Sequence, residues 1–370
     1  MAEIDAFLLD IFNAEQEERV QRLNRFHQLR LERQQLRDVS NPFTLPAEFF
    51  RRYYRMPPHV VMRLIGLVEN SLIRERSTAI PTHLSVLITL RFLAEGGLQK
   101  GFAQDFVHPV SQSTASQCIA RVIDTINHLA DDFIRFPGTE GQREHNSNRF
   151  QRTTRIPGII GAVDGFMVTF YRPTINEEAF FNYRVGTSMN VQIIVDSDYN
   201  ILNIRVCPGS NNDRFVWQFS EAKEYMEDLR ADENFPNRYY IIGDSGYTPS
   251  RVLLTPDLNA AEGSPAHVYT LEHVRTRCIV ERTIGILTNV WLVINRSRKL
   301  HYSPEAVVNI IHACAVLHNF RRRQGILDEN DHNFQPAELR DDVNRRGRGE
   351  AAEYAAGIAE RNHIITQHFM

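Results

Sequence analysis

With 370 residues, 42% of them hydrophobic and 24% charged, the chain has the make-up of a folded protein of more than one domain, not a disordered or fibrous one. A formal net charge of −3 excludes a uniformly basic surface, so any nucleic-acid binding must come from locally concentrated arginines; Lys100, Lys223 and Lys299 are the only lysines. Cys118, Cys207, Cys278 and Cys314 lie far apart, which argues against a disulfide framework or zinc knuckle and for a reducing intracellular compartment.

Residues 1–45 form the first segment. Its start, "MAEIDAFLLDIF", is acidic and does not read as a signal peptide. Residues 14–37 lack Gly and Pro and are rich in helix formers, which predicts a charged helix, solvated or partner-facing; "NPFTLP" at 41–46 then breaks the chain.

Residues 46–137 read as a helical domain. "PPHVVMRLIGLVENSL" and "PTHLSVLITLRFLAEGG" each open on proline, and the second stops at Gly96-Gly97. A short helix from about Gly101 to Phe106, a turn at Val110-Ser111 and a helix from Ser113 to Leu129 make a helix-turn-helix shape. Gln112, Ser113, Thr114 and Gln117 would then be small polar groups able to approach a DNA groove. A plain helical bundle accounts for the same pattern. Residues 138–155, "GTEGQREHNSNRFQRTTR", are polar and Gly-bearing and read as a basic linker.

From residue 156 the period changes to that of strands. "GIIGAVDGFMVTFYRP" reads as two strands around Asp164-Gly165, and "MNVQIIVDSDYNILNIRVCPG" as two more, turning at Asp198-Tyr199-Asn200. A helical stretch at 212–229, a short buried strand ending at Asp244, and helices at 272–291 and 304–323 complete an α/β domain over 156–323, a mixed sheet covered by helices. The polar tail, 324–370, ends in a helical piece around "HIITQHF". No stretch approaches 18 uninterrupted apolar residues, so no membrane partner is expected.

The chemistry gathers on carboxylates. Asp164 in "GAVDG" and Asp244 in "IIGDSG" each follow an apolar strand, and the rim of an open α/β sheet is where ligands bind. Two carboxylates side by side repel, which raises one pKa unless a hard cation such as Mg²⁺ or Mn²⁺ neutralises them. Glu281, in "CIVER", supplies a third acid from a helix, with Arg277 and Gly285 on the same face four residues either side. Three acids holding two ions about 4 Å apart would make a two-metal phosphodiester site, with Arg277 as a phosphate clamp. Arg282 is a further phosphate candidate, and Asp213 in "NND" reads as a supporting group or a helix cap.

The blocks "GIIGAVDG", "MNVQIIVD", "CPGSNNDRFVW", "YYIIGDSGY", "LLTP", "RCIVERTIGIL" and "ACAVLHNF" together resemble the DDE transposases of the PIF/Harbinger group, especially their domesticated, Harbinger transposase-derived nucleases. The resemblance implies an RNase H-like core, a Mg²⁺ or Mn²⁺ cofactor held by Asp164, Asp244 and Glu281, and DNA as substrate. It also implies the nucleus as the main compartment, with the cytoplasm second, and a separate Myb/SANT-like or MADF-like DNA-binding partner. Three histidines common in the family are replaced: Phe166-Met167 follow the first Asp-Gly, Thr187 precedes Ser188, and Asn212 precedes Asp213. That pattern puts full transposition in doubt more than metal binding. His318-Asn319 keeps the family's "LHN" and reads as packing or a structural hydrogen bond. A catalytically silent adaptor and a small-phosphate hydrolase are the competing functions, and the sequence leaves open whether the chain forms a homodimer.

Overall fold

The computed structural model describes residues 2–39, 41–72, 80–96, 110–232, 237–295, 297, 299–326 and 350–370. Two compact units divide the chain, Met1–Phe92 with Gly97–Val122, and Leu93–Gly96 with Ile123–Met370. No helix among the described residues is long and apolar enough to cross a membrane.

The first unit is helical: α1 (Ala2–Val39), α2 (Ala47–Tyr54), α3 (Pro58–Leu72) and most of α4 (Thr82–Glu95) and of α5 (Gln112–Asn127). Helix α1 is longer than the 14–37 expected, and its described side chains are almost all exposed. Phe50, Val60, Val61, Leu64, Val68, Leu87, Leu90, Cys118 and Val122 bury the faces that the apolar spacing marks out. Ser111 caps α5, its hydroxyl accepting from the Thr114 N–H at 3.2 Å. The first helix of the expected helix-turn-helix, Gly101 to Phe106, lies outside the described residues.

The second unit is a mixed sheet packed with helices. After the short α6 (Ala130–Phe133) comes α7 (Glu140–Phe150), in the stretch that the sequence marks as linker. That expectation is corrected, because the segment carries its own start signal and a buried anchor. Thr139 and Gln142 form a reciprocal capping box. Arg143, 2% exposed, donates to the Gly138 carbonyl at 3.0 Å and the Tyr225 hydroxyl, and pairs with Glu140 at 3.0 Å.

The sheet follows, with β1 (Ile159–Thr169), the short α8 (Glu177–Phe180) and β2 (Phe181–Asn182), β3 (Gly186–Val195), β4 (Ile201–Pro208), helices α9 (Asp213–Gln218) and α10 (Glu221–Ala231), β5 (Tyr240–Ile242) and β6 (Leu253–Leu254). Strand β3 runs antiparallel to β1 on one side and to β4 on the other, and β5 and β6 extend β1 in parallel. The spatial order is therefore β4-β3-β1-β5-β6, with β2 pairing the start of β3. Ile160, Val163, Ile194, Trp217, Met226, Ile241 and Leu253 form a buried core between the sheet and its helices. Two long helices close the fold, α11 (Pro265–Val290) against β1 and α12 (Pro304–Arg323) against β4.

The "LHN" pair acts as a structural clamp. Asn319 donates to the Ile201 carbonyl at 2.7 Å and the Phe133 carbonyl at 2.9 Å, and accepts from the Ile201 N–H at 2.8 Å. His318 Nε2 lies 2.8 Å from the Tyr199 carbonyl, in the β3–β4 turn. The end of the polar tail is also part of this unit. Helix α13 (Glu350–His368) sets Gly357 so close to the Pro249–Ser250 backbone that a Cβ there would stand 2.3 Å from the Pro249 carbonyl carbon. Glu353 pairs with Lys223 at 2.9 Å, Glu360 with Arg230 at 2.9 Å and Arg238 at 3.1 Å, and Arg361 with Asp257 at 3.0 Å.

Candidate active site

Asp164 does not end a strand. It sits mid-way along one continuous β1, paired with Ile193 of β3, so the expected break at Asp164-Gly165 is corrected. The glycine is there for a close approach: a Cβ on Gly165 would lie 2.2 Å from Asp213 Oδ1 and 2.7 Å from its Cγ. Asp213 opens α9 behind its N-cap Asn212 and is held by Asn190, whose amide donates to Oδ1 at 2.8 Å. A Gly165→Ala variant therefore has to push Asp213 off Asn190. We expect it to cost about 1–3 kcal/mol in denaturant unfolding, the usual range for overpacking. In an Asp213→Ala background, where the obstructing carboxylate is gone, the same substitution should cost less.

Asp244 lies just beyond β5, the parallel neighbour of β1, where its Oδ1 accepts from the Gly246 N–H at 3.0 Å. Glu281 comes from α11. Arg277, one helical turn before Glu281, joins it to Asp164: its Nη1 lies 3.3 Å from Asp164 Oδ2, and its Nη2 is hydrogen-bonded to Glu281 Oε1. The second oxygen, Glu281 Oε2, is buried with no hydrogen-bond partner. Burial pushes the Asp164 carboxyl up to about 7; Arg277 works against this, and the charges of Asp244 and Asp213 add to it.

A buried polar row supports these acids from β3. Ser188, Asn190 and Gln192 alternate along the strand, so they share one face, and all three are inaccessible or nearly so. Gln192 Nε2 donates to the Asp213 carbonyl and to the Tyr247 hydroxyl, each at 3.1 Å. The Tyr247 phenol is driven well above its ordinary range by burial, then by the charges of Asp213, Asp164 and Asp244. Gln192 and Tyr247 escaped the sequence reading. The signal was present in "SMNVQIIV", where Ser, Asn and Gln recur every second residue inside an otherwise apolar strand.

The expected acids thus come from neighbouring strands and the helix over them, as three separate elements of one unit. They do not form a ready ligand set: among the described residues no group of three or more His, Cys, Asp or Glu is arranged to hold a metal ion. Instead, the Arg277 guanidinium ties Asp164 to Glu281. Arg277, expected as a phosphate clamp, has a side chain that is 12% exposed and bonded to the two acids. Arg282 likewise turns away to the β3–β4 turn, donating to the Tyr199 hydroxyl at 2.8 Å. Asp213, expected as a support or a cap, is a neighbour of Asp164, and the cap is Asn212. Gln112, Ser113 and Gln117 are exposed on the first turns of α5 and Thr114 is half-buried, in the other unit.

Residues 163–319, which contain every acid of this cluster, match the family described as DDE superfamily endonuclease. The chain is 29% identical over 300 residues to "Putative nuclease HARBI1" of Rattus norvegicus, covering 80% of this chain and 82% of that protein. It is 28% identical over 300 residues to the Homo sapiens protein of the same name, with the same coverage. Over 278 residues it is 25% identical to "Protein ALP1-like" of Arabidopsis thaliana, covering 71% of this chain and 65% of that one. No solved structure matches the chain. Across residues 163–319 the chain is thus similar to the DDE superfamily endonucleases, and over most of its length it is similar to the proteins named putative nuclease HARBI1.

Proposed function

We propose that the protein is a metal-dependent nuclease that hydrolyses DNA phosphodiester bonds, with Asp164, Asp244 and Glu281 as the metal ligands. The observation that carries this reading is the crowding of Asp164 by Asp244 and Asp213, beside a buried Glu281 oxygen that has no partner. Such a cluster is costly without a cation, and its donors are all hard oxygens of the kind Mg²⁺ and Mn²⁺ prefer. The residues therefore fit the ion in chemistry, once Arg277 yields its place. A bound ion pair would supply an activated water and charge stabilisation for the leaving oxygen.

This chain's own residues supply the frame. β1 carries Asp164, the loop just after the adjacent strand β5 carries Asp244, α11 presents Glu281, and Asn190 holds Asp213. An antiparallel β1-β3-β4 sheet with β5 and β6 added in parallel beyond β1 is consistent with an RNase H-like core, the fold proposed for this unit. Exposed Gln112, Ser113 and Gln117, with Thr114, at the start of α5 remain the proposed DNA-reading turn of a helix-turn-helix. A nuclear location and a Myb/SANT-like or MADF-like partner complete the proposal.

A second reading, a silent DNA-associated adaptor on the same fold, draws on one observation: Arg277 already satisfies part of the acid cluster without any ion. The two differ in one assay, cleavage of plasmid DNA in Mn²⁺ by the full chain and by Asp244→Asn. The nuclease reading expects cleavage that falls at least about 100-fold in the variant, no less than the loss of a second-shell partner. Equal cleavage in both would overturn the ligand assignment, and none in either would favour the adaptor.

A further inference from the structure

We propose that Arg277 is a built-in counter-cation that a metal ion must displace, and that the displaced guanidinium becomes a phosphate contact, so that metal and DNA bind cooperatively. The inference rests on the reading of Asp164, Asp244 and Glu281 as metal ligands and goes beyond it.

An Arg four residues before a Glu on a helix usually makes a solvent-exposed pair of small worth. Here it does something else. The Arg277 side chain is 12% exposed, and its two terminal nitrogens go to different elements, Nη1 to Asp164 on β1 and Nη2 to Glu281 on α11. Asp164 and Glu281 are themselves 17% and 10% exposed. One planar fork thus spans a strand and a helix and joins Asp164 to Glu281. That is the service a bridging divalent ion would perform, and both cannot stand there together.

The guanidinium cannot leave by losing its proton, because it stays charged at any working pH. It has to move, and a buried cation moves only to another anion or to water. Glu281 Oε2, buried and without a partner, marks a donor position that Arg277 does not reach. With Arg277 displaced, Asp164 and Glu281 would be free to help hold an ion, and Glu281 Oε2 has no partner to give up. A DNA phosphate next to the site gives the freed guanidinium a bidentate partner. Each ligand then lowers the cost of binding the other, by the same factor in both directions.

The test uses the full-length chain, Mn²⁺ and a DNA duplex. Calorimetric titration with Mn²⁺ alone compares the wild type with Arg277→Met, a neutral side chain of similar reach. The Met variant should bind Mn²⁺ at least about 10-fold tighter, since it removes a competitor of like charge worth more than about 1.4 kcal/mol. DNA affinity, read by fluorescence anisotropy, should rise with Mn²⁺ in the wild type and stay unchanged in the variant. Equal or weaker Mn²⁺ binding by a folded Arg277→Met would overturn the proposal while leaving the metal site standing. Mn²⁺ binding by neither protein would remove the metal reading itself, and this proposal with it. Should the Met variant not fold, Arg277→Lys serves: it keeps the charge but cannot span both carboxylates, so a Mn²⁺ affinity no higher than wild type would count against the displacement.

Discussion

Asp164→Asn is expected to abolish Mn²⁺-dependent cleavage and, in the absence of metal, to make the protein more stable at pH 8. The two effects have one cause. Burial raises the Asp164 carboxyl to about 7 in the fold, from an unfolded value near 3.8. For an acid raised in this way the folded state holds the extra proton, so the group's contribution to stability falls as pH climbs from about 4 to about 7 and is level above that. The difference of about three pKa units corresponds to at most about 4 kcal/mol. Asn is uncharged at every pH and keeps the shape. The stability gap between variant and wild type should therefore open across that window and hold beyond it, as read by urea unfolding at pH 4.5, 6 and 8 with a chelator present. A variant less stable than wild type at pH 8 would mean that the Arg277 pair outweighs the burial of the charge. Storing this unfavourable energy is what a site built for a cation would do, because the ion returns it on binding.

Glu360→Ala should bring the largest loss of stability without touching the acids. Glu360 is buried on α13 and collects Arg230 at 2.9 Å, Arg238 at 3.1 Å and the Tyr240 hydroxyl through one oxygen. Tyr240 belongs to β5, the strand that leads to Asp244, so this carboxylate ties the last helix to the sheet beneath the site. Removing it leaves Arg230, 19% exposed, without that partner. Breaking a buried charge pair from one side costs about 3–5 kcal/mol. In a unit of this size that is a fall of about 10 °C in Tm by calorimetry. Glu360→Gln keeps a hydrogen-bond acceptor and should lose roughly half as much. A shift of under about 1 °C in the Ala variant would show that α13 is held by its apolar contacts instead, such as Phe369 against Tyr269 at 5.7 Å.

A feature is legible in the sequence when the partner that decides it is local. Helix α12 was expected at 304–323 and spans Pro304–Arg323, because its Pro start, Ser303 cap and Arg-rich end are all within the helix itself. The Glu281–Arg277 spacing, the acids of "GAVDG" and "IIGDSG", and the β3–β4 turn were legible for the same reason. Residues 138–155 were misread as linker because Gly and charge dominate the stretch. Arg143 is buried only thanks to Tyr225, far along the chain, although the Thr139–Gln142 capping box was a local signal to be had. Asp164-Gly165 was misread as a break between two strands because the reason for the glycine, the carboxylate of Asp213, is likewise remote. The site shows the same limit. A helical period places Arg277 on the face of Glu281, but only the sheet under that face decides that the guanidinium points in, at Asp164, and not out towards a phosphate.

The most direct measurement is a crystal structure of the full chain with Mn²⁺, read by anomalous scattering. The account predicts manganese bound by carboxylate oxygens of Asp164, Asp244 and Glu281, with the Arg277 guanidinium swung off both acids. Crystals that show no manganese at these residues, with Arg277 still joining Asp164 to Glu281, would contradict it.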